Sequence, residues 1–197
     1  MEYIVVEGLP GSGKSTLTKD LAVHSELERI GEIISPNYKE VLIADVKSPT
    51  LQYFINSDER KMKLLNRLTN KKPVISDRCH LSTVAYTMCT ENEDLIKKVK
   101  TWSKFFVKRF RSPDLFIYLD INPKISSKRK RKEKNNPADL WSYKKNLKKT
   151  LDFYKEKVVR NKTQKVVVIN GLMSYEEVYI KTVEAIKRKF PNISFKN

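Results

Sequence analysis

Gly8, Gly13, Lys14 and Ser15 stand in the order G-x-x-x-x-G-K-[ST] within Gly8-Leu-Pro-Gly-Ser-Gly-Lys-Ser-Thr16. That spacing suits a polyphosphate. Gly8, Gly11 and Gly13 permit backbone conformations that a side chain would obstruct, so successive N–H groups can turn inward around phosphate oxygens. Pro10 stiffens the loop. Lys14 brings a full charge to the β- and γ-phosphates, beside the positive dipole end of the helix that begins there, and Ser15 supplies a hydroxyl for Mg²⁺. The motif needs a strand before it and a helix after it, and Tyr3 to Glu7 and Ser15 to Val23 read that way. The expected ATP-binding residues are therefore Gly8, Leu9, Pro10, Gly11, Ser12, Gly13, Lys14, Ser15 and Thr16.

A second pair, Asp77-Arg78, follows Val74-Ile-Ser76 at the C-terminal end of another apolar run, where the sites of α/β sheets form. The pair is therefore a candidate for a site, and the competing reading is a structural ion pair. Asp120 also ends an apolar run and is a second candidate carboxylate.

These residues must be held by a sheet. Apolar runs bounded by polar turns recur at Tyr3–Glu7, Glu32–Ser35, Pro73–Asp77, Leu115–Asp120 and Val166–Asn170, with helical stretches between them. Their continuous hydrophobicity predicts strands buried on both faces, and the alternation predicts a parallel sheet. The expected fold is α/β: a three-layer P-loop domain with about five strands flanked by helices, plus a basic helical lid. Leu51–Leu68 and Asp94–Phe110 read as helices, the second with Trp102, Phe105, Phe106 and Phe110 on a face that is either core or a dimer surface. The basic run Lys124–Lys134 precedes Asn135-Asn-Pro137, and a further helix is expected from about Ala138. The lid is placed at about 124–140. Ser174-x-x-Glu177 is a capping-box pattern opening the last helix, expected over Ser174–Phe190.

The 197 residues suit one domain, 1–197. Without an apolar run near twenty residues, and with a strand rather than a signal peptide in its first residues, the chain is expected to be cytoplasmic with no membrane association. Cys79 and Cys89 lack metal or disulfide spacing. The net charge of +17 calls for an acidic partner, nucleotide or nucleic acid, or else reflects a solvated surface.

The segments Glu7-Gly-Leu-Pro-Gly-Ser-Gly-Lys-Ser-Thr16 and Ser76-Asp-Arg-Cys-His-Leu-Ser-Thr-Val-Ala-Tyr86 together resemble the thymidylate kinase family of nucleoside monophosphate kinases. That family joins an E-G-x-x-G-x-G-K-[ST]-T loop to a strand ending in D-R and an S-x-x-A-Y segment, here Ser82, Ala85 and Tyr86. Phe54-Ile-Asn-Ser-Asp-Glu-Arg60 looks like its substrate-site helix. The resemblance implies ATP-dependent, Mg²⁺-requiring phosphoryl transfer to a nucleoside monophosphate, dTMP or a similar (deoxy)nucleotide. It implies Lys14 on the ATP phosphates, Ser15 and Asp77 at the metal, and Arg60, Arg78 and Tyr86 at the acceptor. Because the loop carries no arginine, it also implies a lid arginine, Arg129 or Arg131, on the transferred group. A homodimer is implied by the same analogy. The catalytic set is thus Lys14, Asp77, Arg78, Arg129 and Arg131.

The chain departs from the pattern at Ile34-Ser-Pro-Asn37, where the family carries R-E-P-G, and at Cys79, where an aromatic residue often follows D-R. Both departures fall in the acceptor pocket and leave the base open. Two other functions compete. A deoxynucleoside kinase shares the loop and leaves Arg60 without a purpose. A nucleic-acid-associated ATPase or polynucleotide kinase uses the basic charge, but the basic run has no interleaved aromatic residues for stacking.

Overall fold

The strands are β1 Tyr3–Gly8, β2 Glu28–Ile30, β3 Val74–Asp77, β4 Leu115–Asp120 and β5 Val166–Asn170. They form one sheet, all parallel, in the order β2-β3-β1-β4-β5. The helices are α1 Lys14–Val23, α2 Leu51–Leu68, α3 His80–Thr87, α4 Glu93–Arg109, α5 Pro123–Lys132, α6 Lys144–Tyr154 and α7 Tyr175–Lys189. The computed structural model describes residues 1–32, 51–132, 144–161 and 165–196, with side chains of the second stretch described through 129.

Strand β1 is the reason for this arrangement. All six of its residues are buried, and its alternate side chains serve two cores. Tyr3 and Val5 pack with Met62, Leu65, Phe106, Phe116, Tyr118 and Tyr154 on one face. Ile4 and Val6 pack with Leu17, Leu21, Ile117, Leu119, Val178 and Ile186 on the other. A strand feeding both faces must be central, and both of its edges are occupied, by β3 and by β4. The register sets Val6 beside Asp77 and Gly8 beside Leu119. The chain therefore leaves β1 at the point where successive strands pass to opposite sides, the place where α/β sheets open a crevice.

Strand β2 lies earlier than the expected Glu32–Ser35. Glu28-Arg-Ile30 is an edge strand pairing with Val74, Ile75 and Ser76, and only Ile30 is buried. One buried position is too weak a hydrophobic signal, so the apolar pattern pointed to residues past Gly31; 33–35 lie outside the described residues. Helix α3 was read from sequence only as an S-x-x-A-Y segment.

Helix α4 answers the question about its rings. Trp102, Phe106 and Phe110 pack against the core, and Phe106 stacks on His80 at 4.6 Å between ring centroids, while Phe105 stays exposed. Ser174 caps α7 as expected, with the Glu177 side chain returning to the Ser174 N–H at 2.9 Å. Helix α6 runs from Lys144 within the described residues and ends in a π-helical turn, Lys155–Val159, just after Tyr154. Among the described residues no helix is long and apolar enough to cross a membrane.

Candidate active site

The loop between β1 and α1 owes its shape to three glycines at positive φ: Gly8 at 149°, Gly11 at 71° and Gly13 at 95°. Gly8 has a second reason. A Cβ there would lie 2.6 Å from the Leu119 carbonyl, so β4 can approach only a glycine. Lys14 folds back into the loop, where its Nζ donates to the Leu9 carbonyl at 2.8 Å and to Ser12 Oγ at 3.2 Å. Burial, with the Arg78 charge nearby, brings its ammonium down to about 7. A polyphosphate would supply the opposite charge this buried cation lacks. Ser15 is exposed at the mouth of the loop.

Asp77 and Arg78 end β3 on the neighbouring strand. The Asp77 carboxylate is buried; Oδ2 lies 3.4 Å from Arg29 Nη2, and Oδ1 has no hydrogen-bond partner among the described residues. A buried, unpartnered carboxylate oxygen suits a hydrated cation, because leaving such an atom dry and unpaired is unfavourable. Among the described residues no three His, Cys, Asp or Glu side chains cluster as a metal cage. The arrangement fits a hydrated ion held by few protein groups, with Asp77 as one of them. Asp120 is half-buried and its backbone pairs toward Asn170, on the β5 side. Asp77 is among the carboxylates whose charge acts on Lys14.

Arg78 adopts φ 65°, unusual for a residue with a Cβ. Two donors hold that turn: Lys61 Nζ reaches the carbonyls of Asp77 at 2.7 Å and Arg78 at 3.1 Å, and Ser76 Oγ reaches the Arg78 carbonyl at 2.7 Å. The guanidinium is buried. Its Nη1 donates to the Gly8 carbonyl at 3.2 Å, Ser82 Oγ at 3.1 Å and the Tyr154 hydroxyl at 3.4 Å. Its Nε lies 2.7 Å from Glu32 Oε1, Nη1 lies 3.8 Å from Glu7 Oε2, and the group sits 5.2 Å above the Tyr86 ring centroid. Glu7 is fully buried and also accepts from the Cys79 N–H at 2.9 Å and the Ser82 hydroxyl at 3.0 Å. One network thus ties the end of β1 to the start of α3.

Beside Arg78 a pocket opens between α2 and α3, lined by Glu32, Phe54, Ser57, Asp58, Cys79, Thr83 and Tyr86. Tyr86 lines this pocket. Arg60 does not: it is exposed on α2, while Ser57, Asp58 and Lys61 are the buried polar residues of that helix. The helix has the expected bounds, and its buried polar face carries Ser57, Asp58 and Lys61, with Arg60 outside it. A sequence signal existed in Asp58 and Lys61, which interrupt the apolar stripe of Phe54, Ile55, Met62 and Leu65 at spacings of three and four. Glu7, an acid ending a strand buried on both faces, was another.

Helix α5 touches the loop from the far side. Ser126 Oγ donates to the Pro10 carbonyl at 2.7 Å, and Arg129 donates to the carbonyls of Gly11 at 3.2 Å and Gly171 at 3.3 Å. The Arg131 side chain, the rest of the expected lid to 140, Ile34-Ser-Pro-Asn37 and the start of the helix expected at Ala138 lie outside the described residues.

Comparison with known proteins follows the same lines. A family model described as thymidylate kinase matches residues 6–181. The probable thymidylate kinase of Picrophilus torridus is 31% identical over 201 residues, covering 94% of this chain and 94% of that protein. The thymidylate kinase of Leptospira borgpetersenii is 28% identical, covering 95% and 94%. Among solved structures, a deoxyadenosine kinase from M. mycoides with products dCMP and a flexible dCDP bound superposes with a TM-score of 0.73 at 20% identity, covering 94% of this chain and 99% of that one.

Proposed function

Because the chain belongs to the thymidylate kinase family, we propose that it transfers the γ-phosphoryl group of ATP to the 5′-phosphate of a (deoxy)nucleoside monophosphate, dTMP or a similar nucleotide. The observation that carries the reading is the juxtaposition of two cations: Lys14 inside a phosphate-shaped loop, and Arg78 bonded to that loop at Gly8 while lining the neighbouring pocket.

Phosphoryl transfer needs two polyanions held in line with their charge neutralised, and no nucleophilic side chain. The amides from Gly8 to Thr16 hold the donor phosphates, with Lys14 on the β- and γ-oxygens. Ser15 and Asp77 would hold Mg²⁺, which would supply charge neutralisation for the polyphosphate. Arg78 grips the acceptor phosphate and Tyr86 walls the acceptor. Arg129, already against the loop at Gly11, neutralises charge on the transferred group, and Arg131 is the second candidate. An acceptor phosphate oxygen forms the new bond to the γ-phosphorus as the bond to the β–γ bridging oxygen breaks, and ADP leaves with that electron pair.

The test is an ADP-release assay with ATP and Mg²⁺ across nucleoside monophosphates, nucleosides and a 5′-hydroxyl oligonucleotide, with Lys14→Ala as the blank. Turnover of monophosphates is expected. Turnover of nucleosides or oligonucleotide alone would overturn the acceptor assignment while keeping the donor site.

A further inference from the structure

Two carboxylates face the Arg78 guanidinium, and they are held in opposite ways. Glu7, at the end of β1, is fully buried and fixed by the Cys79 N–H at 2.9 Å and the Ser82 hydroxyl at 3.0 Å, with Oε2 3.8 Å from Arg78 Nη1. It balances the buried cation and cannot leave. Glu32, just beyond β2, lines the pocket with Oε1 2.7 Å from Arg78 Nε, and its side chain is 43% exposed. It can turn into water.

The Glu32 contact is close but poorly aligned. Arg78 Nε is buried and its N–H has no hydrogen-bond acceptor among the described residues, so Glu32 supplies charge without the bond that would lock it in place. That charge is nonetheless the stronger of the two, acting on Arg78 ahead of Glu7. A phosphate gripped by Arg78 would meet Glu32 at the same nitrogen, and like charges crowded on one cation repel. Phosphate holds the advantage. It brings roughly two negative charges and three acceptor oxygens, one of which can take the Nε–H that Glu32 leaves unpaired.

We infer that Glu32 is a displaceable counter-ion of Arg78 that sets the affinity for the acceptor phosphate: a 5′-phosphate binds by driving Glu32 off the guanidinium, whereas a neutral nucleoside leaves it there. The inference rests on the proposed function, because it takes Arg78 to grip the acceptor phosphate. Glu7 keeps its place throughout, so Arg78 retains a buried counter-ion when Glu32 turns away. The charge of Glu32 therefore opposes monophosphate binding and is indifferent to the base.

The experiment measures binding of dTMP, dCMP, dAMP and their nucleosides by calorimetry to the full chain and to Glu32→Gln, which keeps the size of a half-exposed side chain and removes its charge. The best-bound monophosphate should bind about 10-fold more tightly to Glu32→Gln than to the wild type, because a charged contact no longer has to be broken, and its acceptor KM should fall by a similar factor. The matching nucleoside should change by less than about two-fold, since it carries no charge for Glu32 to oppose. A monophosphate bound equally or more weakly by the variant would overturn the inference and leave the proposed function intact. So would an equal gain for the nucleoside, because the gain would then come from room and not from charge. Absence of monophosphate binding to either protein would overturn both.

Discussion

The donor loop and the acceptor pocket lie on adjoining strands, yet they are built from different material. The donor side is backbone. Its shape follows from Gly8, Gly11 and Gly13, and the Lys14 side chain within it is met by loop oxygens until phosphate arrives. The acceptor side is side chain. Glu7, Asp58, Lys61, Asp77 and Arg78 are all buried within one connected neighbourhood. A polyphosphate is the same in every nucleotide and can be recognised by amides, whereas an acceptor must be told apart from its relatives. Discrimination needs groups whose chemistry can vary without changing the fold.

The comparison predicts that damage to the acceptor side reaches the fold, and damage to the donor side does not. Arg78→Met should produce the largest effect. It leaves Glu7 buried without its cation, so unfolding free energy should fall by about 3–5 kcal/mol in denaturant titration. The double variant Glu7→Gln/Arg78→Met should recover much of that stability and none of the activity. A single variant as stable as the wild type would mean that the network is not structural.

Lys14→Met is the counterpart on the donor side. Removing a preorganised charge at a reacting phosphate should lower kcat about 10²–10³-fold. Stability at neutral pH should not fall, because burial already holds the ammonium near neutrality, at about 7. Loss of both activity and stability would erase the distinction between the two sides.

Asp58 sharpens the comparison through pH. Burial raises its carboxyl from 3.8 to about 6, against the lowering by Lys61 and Thr83, with Glu7 and Glu32 adding to the rise. Its folded pKa lies above its unfolded value, so between about pH 4 and 6 the folded state holds more protons, and stability declines as pH rises through that window. Two units correspond to a penalty of about 3 kcal/mol at pH 7, at 1.36 kcal/mol each. Asp58→Asn should therefore be more stable than the wild type at pH 7, by less than that figure because Lys61 loses an attractive neighbour, and the gap should close by pH 4. Urea unfolding at the two pH values measures it.

How much of this was legible in the sequence follows the same division. The strand Leu115–Asp120, the helix Leu51–Leu68 and the loop from Gly8 to Ser15 were readable to the residue, because hydrophobic period and glycine placement act locally. Strand β2 was displaced because an edge strand needs little hydrophobicity. The network joins Glu7 to Ser82 across 75 residues and Tyr154 to Ser82 and Arg78 across 72 and 76, with only the Arg78–Ser82 contact local, and no local pattern records which polar side chain meets which.

Arg60 is the smallest expected effect and the most direct test of that division. The family resemblance makes it the arginine of the substrate helix, and its loss should then raise the acceptor KM. In the folded chain it is exposed, while Lys61 beside it is buried and holds the Asp77 and Arg78 carbonyls. A helix turns about 100° per residue, so neighbours at one step have different surroundings. Arg60→Ala should change the acceptor KM by less than about two-fold and stability by under about 0.5 kcal/mol, as exposed substitutions do. Lys61→Met should raise that KM several-fold by releasing the left-handed turn at Arg78. If Arg60→Ala raised KM and Lys61→Met did not, the acceptor phosphate would sit outside the pocket, and the Arg78 assignment would fall with it.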